Sequence, residues 1–217
     1  MSVRNETTVE LKPVTRICGD IQPPGSKSLT NRALIVASVA SGSSRIEGAL
    51  VSEDTEVMIE SLRRAGVKIE VSGGGTILDV EPISIDQESS ARQDAGTPVE
   101  LFIANSGTSV RFLAAMLSVV GGHYRLSGVP RMHQRPIGDL VEALKPLVSG
   151  QIVAESEGGC PPVTIESSGW KGEATSVGGG VSSQYLSGLM MAGGAKMEAT
   201  TICIDGELVS KPYVKMT

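Results

Sequence analysis

GSKSLTNRALIVASVASGSSRIEGALVSEDTEVMIESLRRAGVKIEV, residues 25–71, carries the pattern on which the fold turns. It opens with small hydroxyl residues suited to a helix N-cap. The run from Ala33 to Val39 has apolar residues on all sides, which predicts a buried helix. A glycine-containing turn then leads into a short strand, Arg45–Gly48. Next comes an amphipathic helix whose apolar positions Val57, Ile59, Leu62 and Ala65 run up to Gly66, a suitable C-terminal cap. The alternating segments VKIEV and TILDV, on either side of Gly73, Gly74 and Gly75, read as a hairpin.

The same order returns twice. Residues 105–153 give a buried helix at Phe112–Val120, a strand at Tyr124–Gly128, and an amphipathic helix marked by Ile137, Leu140, Val141 and Leu144. A second hairpin, QIVAE and PVTIE around Gly158 and Gly159, follows. Residues 181–214 repeat the start, with a buried helix at Leu186–Ala192 and a strand at Thr201–Gly206. Gly48 lies 80 residues before Gly128, which lies 78 before Gly206. Two agreeing spacings of this length mark repeated subdomains rather than solenoid turns. The expected fold is mixed α+β, made of β-α-β-α-β-β repeats. The third repeat reaches Thr217 where its second helix should begin, so it is expected to be incomplete and to leave apolar surface uncovered.

Composition narrows the functions. Of 217 residues, 40% are hydrophobic and 20% charged, as in ordinary globular proteins. Aromatics are only 3%, which argues against base-stacking platforms. A net charge of −5 gives no general basic field for nucleic acid or anionic membrane, so an anionic ligand needs local cations. No apolar stretch is long enough for a bilayer span, and the N-terminus has no signal-peptide core. Cys18, Cys160 and Cys203 are widely spaced without a CxxC, which reads as buried thiols in a reducing, cytoplasmic setting. His123 and His133 have no zinc-like spacing to them, and no metal or cofactor is expected.

The helix starts carry the chemistry. Pro24–Arg32 delivers Lys27 and Ser28 to a helix N-terminus, with Arg32 one turn on. Free N–H groups, the helix dipole and two cations suit a phosphate or carboxylate. A plain capped helix with solvated charges fits this segment equally well. Asn105–Arg111 repeats the construction, with Gly107 allowing close approach to the backbone and Arg111 either a ligand or a structural cation. Arg131 and Arg135 share a segment that Pro136 keeps extended, a weak signal for a planar anion. Ser182, Ser183 and Gln184 open the third buried helix with an uncharged polar cradle. Ser210 and Tyr213 fall just past the third strand, in the place of the double-Arg segment. Glu53 and Asp54 read either as paired acids or, preferably, as first-turn carboxylates of a helix. Convergence of these helix starts would make a site for an anionic, hydroxylated small molecule.

PGSKSLTNRAL, NSGTSVR, PRMHQRPIGDLVEAL, VSSQYLSGLM and GELVSKPYV, in this order from about residue 19 to 213, resemble the 5-enolpyruvylshikimate-3-phosphate synthase family. The resemblance implies two similar domains, each of three such units around buried parallel helices with mixed sheets, and an active site between the domains. This chain would be the N-terminal one, with residues 21–217 forming the domain and residues 1–20 linking to a C-terminal domain that is not in the sequence. The partners implied are shikimate 3-phosphate and phosphoenolpyruvate. Lys27 would touch both substrates and aid proton transfer. Ser28 and Arg32 would hold the ring hydroxyl and carboxylate, and Ser182, Ser183 and Ser210 the 3-phosphate. Gln184 and Tyr213 would pack and bond the ring. Lys27, Asn105, Gly107, Arg135 and Gln184 would line the phosphoenolpyruvate side. The family attaches C2 of phosphoenolpyruvate to the shikimate 5-hydroxyl, protonates C3, and then expels phosphate. Its proton-transfer carboxylates belong to the C-terminal domain, so this chain is expected to bind shikimate 3-phosphate weakly without turnover. The family often continues Thr with Ala-Met-Arg-Pro, whereas Thr108 here is followed by Ser109-Val110-Arg111-Phe112. Two rivals stand beside this: a non-catalytic binding or interaction module of the same fold, and the sister enzyme acting on UDP-N-acetylglucosamine. The sister typically carries Lys-Asn where this chain has Lys27-Ser28.

Overall fold

Helix α3 (Gly107–Val120) is the axis of the molecule, and only Thr108 along it is not buried. The computed structural model describes residues 13–83, 96–180, 182–196 and 198–217. Ser106 starts α3: its backbone is extended, its hydroxyl accepts the Ser109 N–H, and Gly121, with φ +82°, ends it. A helix with apolar side chains all round must be enclosed by other elements. Here α1 (Lys27–Ser38) packs against it, as does α5 (Ser183–Gly193). Three sheets complete the described structure.

The first sheet orders β1 (Ser44–Glu47), β3 (Ile77–Glu81) and β2 (Lys68–Ser72), all antiparallel. The second orders β4 (Val99–Phe102), β5 (Gly122–Ser127), β7 (Cys160–Trp170) and β6 (Val148–Ser156). In it β4 runs parallel to β5, and the other pairs are antiparallel. The third pairs β8 (Ala174–Gly178) with β9 (Thr201–Asp205) in parallel. Helices α2 (Glu53–Arg64), α4 (Gly138–Leu144) and α6 (Lys211–Met216) follow the strands that close each buried-helix unit.

The middle repeat therefore has the full β-α-β-α-β-β order: β4-α3-β5-α4-β6-β7. The first runs α1-β1-α2-β2-β3, with no strand before α1 among the described residues. The third runs β8-α5-β9-α6. Side-chain order in β5 shows why the register is fixed: Gly122, Tyr124 and Leu126 face inward in strict alternation. Leu101, Leu113, Met116, Leu117, Leu126 and Val163 are all sealed in one core, and each such side chain contributes about 1.5–3 kcal/mol.

The all-round burial predicted for three helices holds only for α3, because it alone has neighbours on every side. Val36 on α1 is 50% exposed and Met190 on α5 is 39% exposed. The second helix of the third repeat, expected to begin only at Thr217, already runs over Lys211–Met216, because Pro212 fits the first turn and Ser210 bends the chain at φ +54°. The double-Arg segment is not extended throughout. Buried Met132 draws Met132–Gln134 into a 3-10 turn, and only Arg135 is extended before Pro136. Of the three thiols only Cys160 is buried, since Cys18 lies in an exposed irregular stretch and Cys203 on an outward position of β9.

Candidate functional site

The starts of α1, α3 and α5 meet in one cleft of about 510 Å3. Gly25 makes the first meeting possible: a Cβ there would overlap the carbonyl of Gly48 and lie 2.7 Å from Leu50 N. The turn before α1 therefore lies directly on the loop leading to α2, where the Leu50 N–H donates to Thr30 Oγ1 at 3.0 Å. This contact brings Lys27 to the first turn of α2. Lys27 Nζ donates to Asp54 Oδ2 at 3.0 Å.

Gly107 does the corresponding work for α3. A Cβ at this position would collide with the guanidinium groups of Arg135 and Arg111. Arg135 Nη1 donates to the Asn105 carbonyl at 2.8 Å, which holds its planar head over the start of α3. Burial lowers the Arg135 pKa, and the neighbouring charges of Arg111 and Arg131 lower it further, against the opposing effect of Asp54. Such crowding of like charges is relieved when an anion enters between them.

At α5, Ser182 is the N-cap and accepts the Gln184 N–H at 3.2 Å. The Gln184 amide is clamped from two sides: Arg111 Nη1 donates to its Oε1 at 3.0 Å, and its Nε2 donates to Thr108 Oγ1 at 3.0 Å. Arg111 is buried beside the Tyr185 ring, 5.4 Å from its centroid, and also donates to the carbonyls of Gly107 and Pro136. Ser183 lies next to Ser182 on the same wall, and Val209, Ser210 and Tyr213 close the cleft from the third repeat. Tyr213 is 48% exposed.

The residues to which the family resemblance gives roles line this cleft, namely Lys27, Ser28 and Arg32 from the first repeat, Asn105, Gly107 and Arg135 from the second, and Ser182, Ser183, Gln184, Ser210 and Tyr213 from the third, whereas Arg111, Arg131 and Glu53 are not in its lining. Arg32 differs in its surroundings from what its spacing suggests. Its Nε donates to Thr217 Oγ1 at 2.8 Å, Nη1 to the Ser28 carbonyl at 3.0 Å, and Nη2 to Ser187 Oγ at 3.1 Å and the Tyr213 carbonyl at 3.3 Å. It also stacks 5.2 Å from the Phe112 centroid. Burial lowers its pKa, partly offset by Tyr213, yet an arginine stays cationic at neutral pH. Arg32 thus ties α1 to α5 and α6 while forming part of the cleft wall.

A profile of the EPSP synthase (3-phosphoshikimate 1-carboxyvinyltransferase) family matches residues 11–217. The chain belongs to the EPSP synthase family. It is 40% identical over 210 residues to a 3-phosphoshikimate 1-carboxyvinyltransferase of Marinomonas sp., an alignment covering 97% of this chain and 48% of the relative. With that of Bordetella avium it shares 43% identity over 89% of this chain and 43% of the relative. The chain therefore spans about half the length of the curated relatives it matches. The solved EPSP synthase of Acinetobacter baumannii superposes with a TM-score of 0.72 at 25% identity, over 91% of this chain and 42% of that one. The enolpyruvyl transferase NikO from Streptomyces tendae shares the fold, with a TM-score of 0.53 at 17% identity over 92% of this chain and 43% of that one. The architecture is that of the enolpyruvyl transferases.

Within this EPSP synthase family domain, sequence reasoning undervalues three residues. Asp54 reads there as a helix-stabilising carboxylate, yet it stands in the cleft against Lys27, a contact between residues 27 positions apart that no local spacing announces. Burial raises its pKa, but hydrogen bonds from Ser106 and Lys27, with the charges of Lys27 and Arg135, outweigh that and hold it below the usual aspartate value. Arg111, open in the sequence between a ligand and a structural cation, is the buried group that orients Gln184, and its place four residues after Gly107 is the available signal. Thr108 completes that clamp. Among the described residues no three His, Cys, Asp or Glu side chains gather as a metal-ion site, and no helix is long and apolar enough to cross a membrane.

Proposed function

We propose that this chain forms the shikimate 3-phosphate wall of an enolpyruvyl transferase site. In that enzyme the enolpyruvyl group of phosphoenolpyruvate passes to the 5-hydroxyl and phosphate is released. The convergence of three capped helix starts on one cleft, bringing Lys27, Arg135 and the Ser182–Ser183 pair together, carries this reading. Helix N-termini and cations bind phosphate and carboxylate well, and clustered hydroxyls suit a polyhydroxylated ring.

The family resemblance and the lining of the cleft support the following residue roles. Ser182, Ser183 and Ser210 would take the 3-phosphate, with Gln184 and Tyr213 against the ring. Ser28 would meet a ring hydroxyl, and Arg32 would face the carboxylate once one of its internal partners yields. Lys27, Asn105, Gly107 and Arg135 would serve phosphoenolpyruvate, where fixed cations stabilise the charge that grows as the tetrahedral adduct forms and phosphate departs.

Asp54 is the only carboxylate on this wall among the described residues, and it is already paired with Lys27. That supports a wall that binds and orients, with proton-transfer carboxylates supplied by a second domain that residues 1–20 would lead to. Residues 21–217 would be the binding domain, working in the cytoplasm where such small phosphorylated acids are made.

Calorimetric titration of shikimate 3-phosphate, with phosphate release assayed on the same sample in the presence of phosphoenolpyruvate, tests the proposal. It expects saturable, weak binding and no release above background. Absence of binding would refute the assigned wall, and turnover would refute the need for a second domain.

A further inference from the structure

Asp54 and Lys27 each stand in the first turn of a helix, but the helix dipole there favours the carboxylate and opposes the ammonium. Asp54 sits behind the Ser52–Thr55 capping box of α2. On the α3 side the Ser109 hydroxyl donates to the Asp54 carbonyl at 3.5 Å. Lys27 reaches the Asp54 carboxylate on a long flexible stem, with 47% of its side chain exposed against 29% for Asp54. An anion entering the cleft would therefore draw away Lys27, and the carboxylate would stay where it is. Arg135, the other cation of this corner, lies close enough for its charge to act on Asp54 as well.

We propose that Asp54 is a specificity-determining residue: a fixed internal counter-ion that pairs with Lys27 and discourages small bare anions from settling beside Lys27 and Arg135. A ligand that brings a hydroxyl donor to Asp54 and places its phosphate on the Ser182–Ser183 side escapes the repulsion. A free phosphate ion cannot, and phosphoenolpyruvate, which would meet Lys27 and Arg135 directly, is disfavoured in the same way on this wall alone. The inference rests on the reading of the cleft as a sugar-like phosphate site, and it deepens that reading by saying how the site rejects phosphate alone.

Inorganic phosphate and shikimate 3-phosphate titrated separately into the parent chain, Asp54→Asn, Asp54→Ser and Asp54→Glu test it, with thermal unfolding checked for each. Removing a unit charge a few ångströms from the bound anion should tighten inorganic phosphate binding about 3- to 20-fold in both neutral variants. Asp54→Glu, which keeps the charge, should stay near the parent. The preference for shikimate 3-phosphate over inorganic phosphate should shrink in the neutral variants. Unchanged or weaker phosphate binding in both would overturn the proposal while leaving the cleft assignment intact, provided the parent binds shikimate 3-phosphate. Failure of the parent to bind either ligand would overturn the cleft assignment and this inference with it.

Discussion

Gly107 shows how one missing side chain shapes the cleft. Its hydrogen occupies the space where a Cβ would strike the heads of Arg135 and Arg111. Both are ends of flexible side chains, so Gly107→Ala should fold and should act by pushing those guanidiniums aside. Losing one charge-assisted contact of about 1.5–3 kcal/mol predicts roughly ten- to hundredfold weaker ligand binding in calorimetry, with only a small change in the thermal midpoint. An unchanged affinity would mean that neither guanidinium reaches the ligand. At this scale much of the site is legible in the sequence. Lys27, Ser28, Asn105, Gly107, Ser182 and Ser183 stand at helix starts, and helix starts are written locally as hydroxyl, glycine and cation. Asp54 is not legible in its role, because its partners Lys27 and Ser106 belong to other elements. The internal bonds of Arg32 are hidden for the same reason: they run to Ser187, Tyr213 and Thr217, far along the chain.

The strands of the second sheet are tied by an ion pair that links them to pH. Arg125 on β5 meets Glu155 on β6 through two bonds, Nε–Oε1 at 2.8 Å and Nη2–Oε2 at 2.7 Å, and Thr164 on β7 donates to the same carboxylate. The bond to Arg125 holds the Glu155 carboxyl below its usual value, against a smaller opposing effect of burial. A carboxyl whose folded pKa is depressed stabilises the fold above its unfolded pKa, and that contribution disappears as pH falls through the folded value. Urea unfolding across pH should therefore show a stability loss below about pH 4.3 that Glu155→Gln removes. The variant should be the less stable protein at pH 7 and should close the gap in acid. Equal pH profiles would mean that the pair contributes nothing, as many exposed pairs do. Elements are easier to read than their surroundings. The buried helices, both hairpins and the repeat order follow from periodicity and glycine spacing. The exposed flanks of α1 and α5 do not, because an apolar residue looks the same in sequence whether or not a neighbour covers it. Val36 and Met190 are the examples.

Over the whole molecule, three weakly related units place three similar helix starts on one side of one core. This arrangement turns a repeat into a site: each unit supplies a different chemistry, with Lys27 from the first, Arg135 from the second and the Ser182–Ser183 pair from the third. No single segment of the sequence specifies the cleft, although each segment suggests a helix that could bind an anion. In the proposed function these three starts act together on one ligand. Amide chemical shifts followed by two-dimensional NMR during titration with shikimate 3-phosphate test it most directly. Residues 27–32, 105–111 and 182–187 should shift together along one saturation curve, while the outer strands β2 and β6 stay still. Shifts confined to one helix start, or three curves with different midpoints, would contradict that joint action.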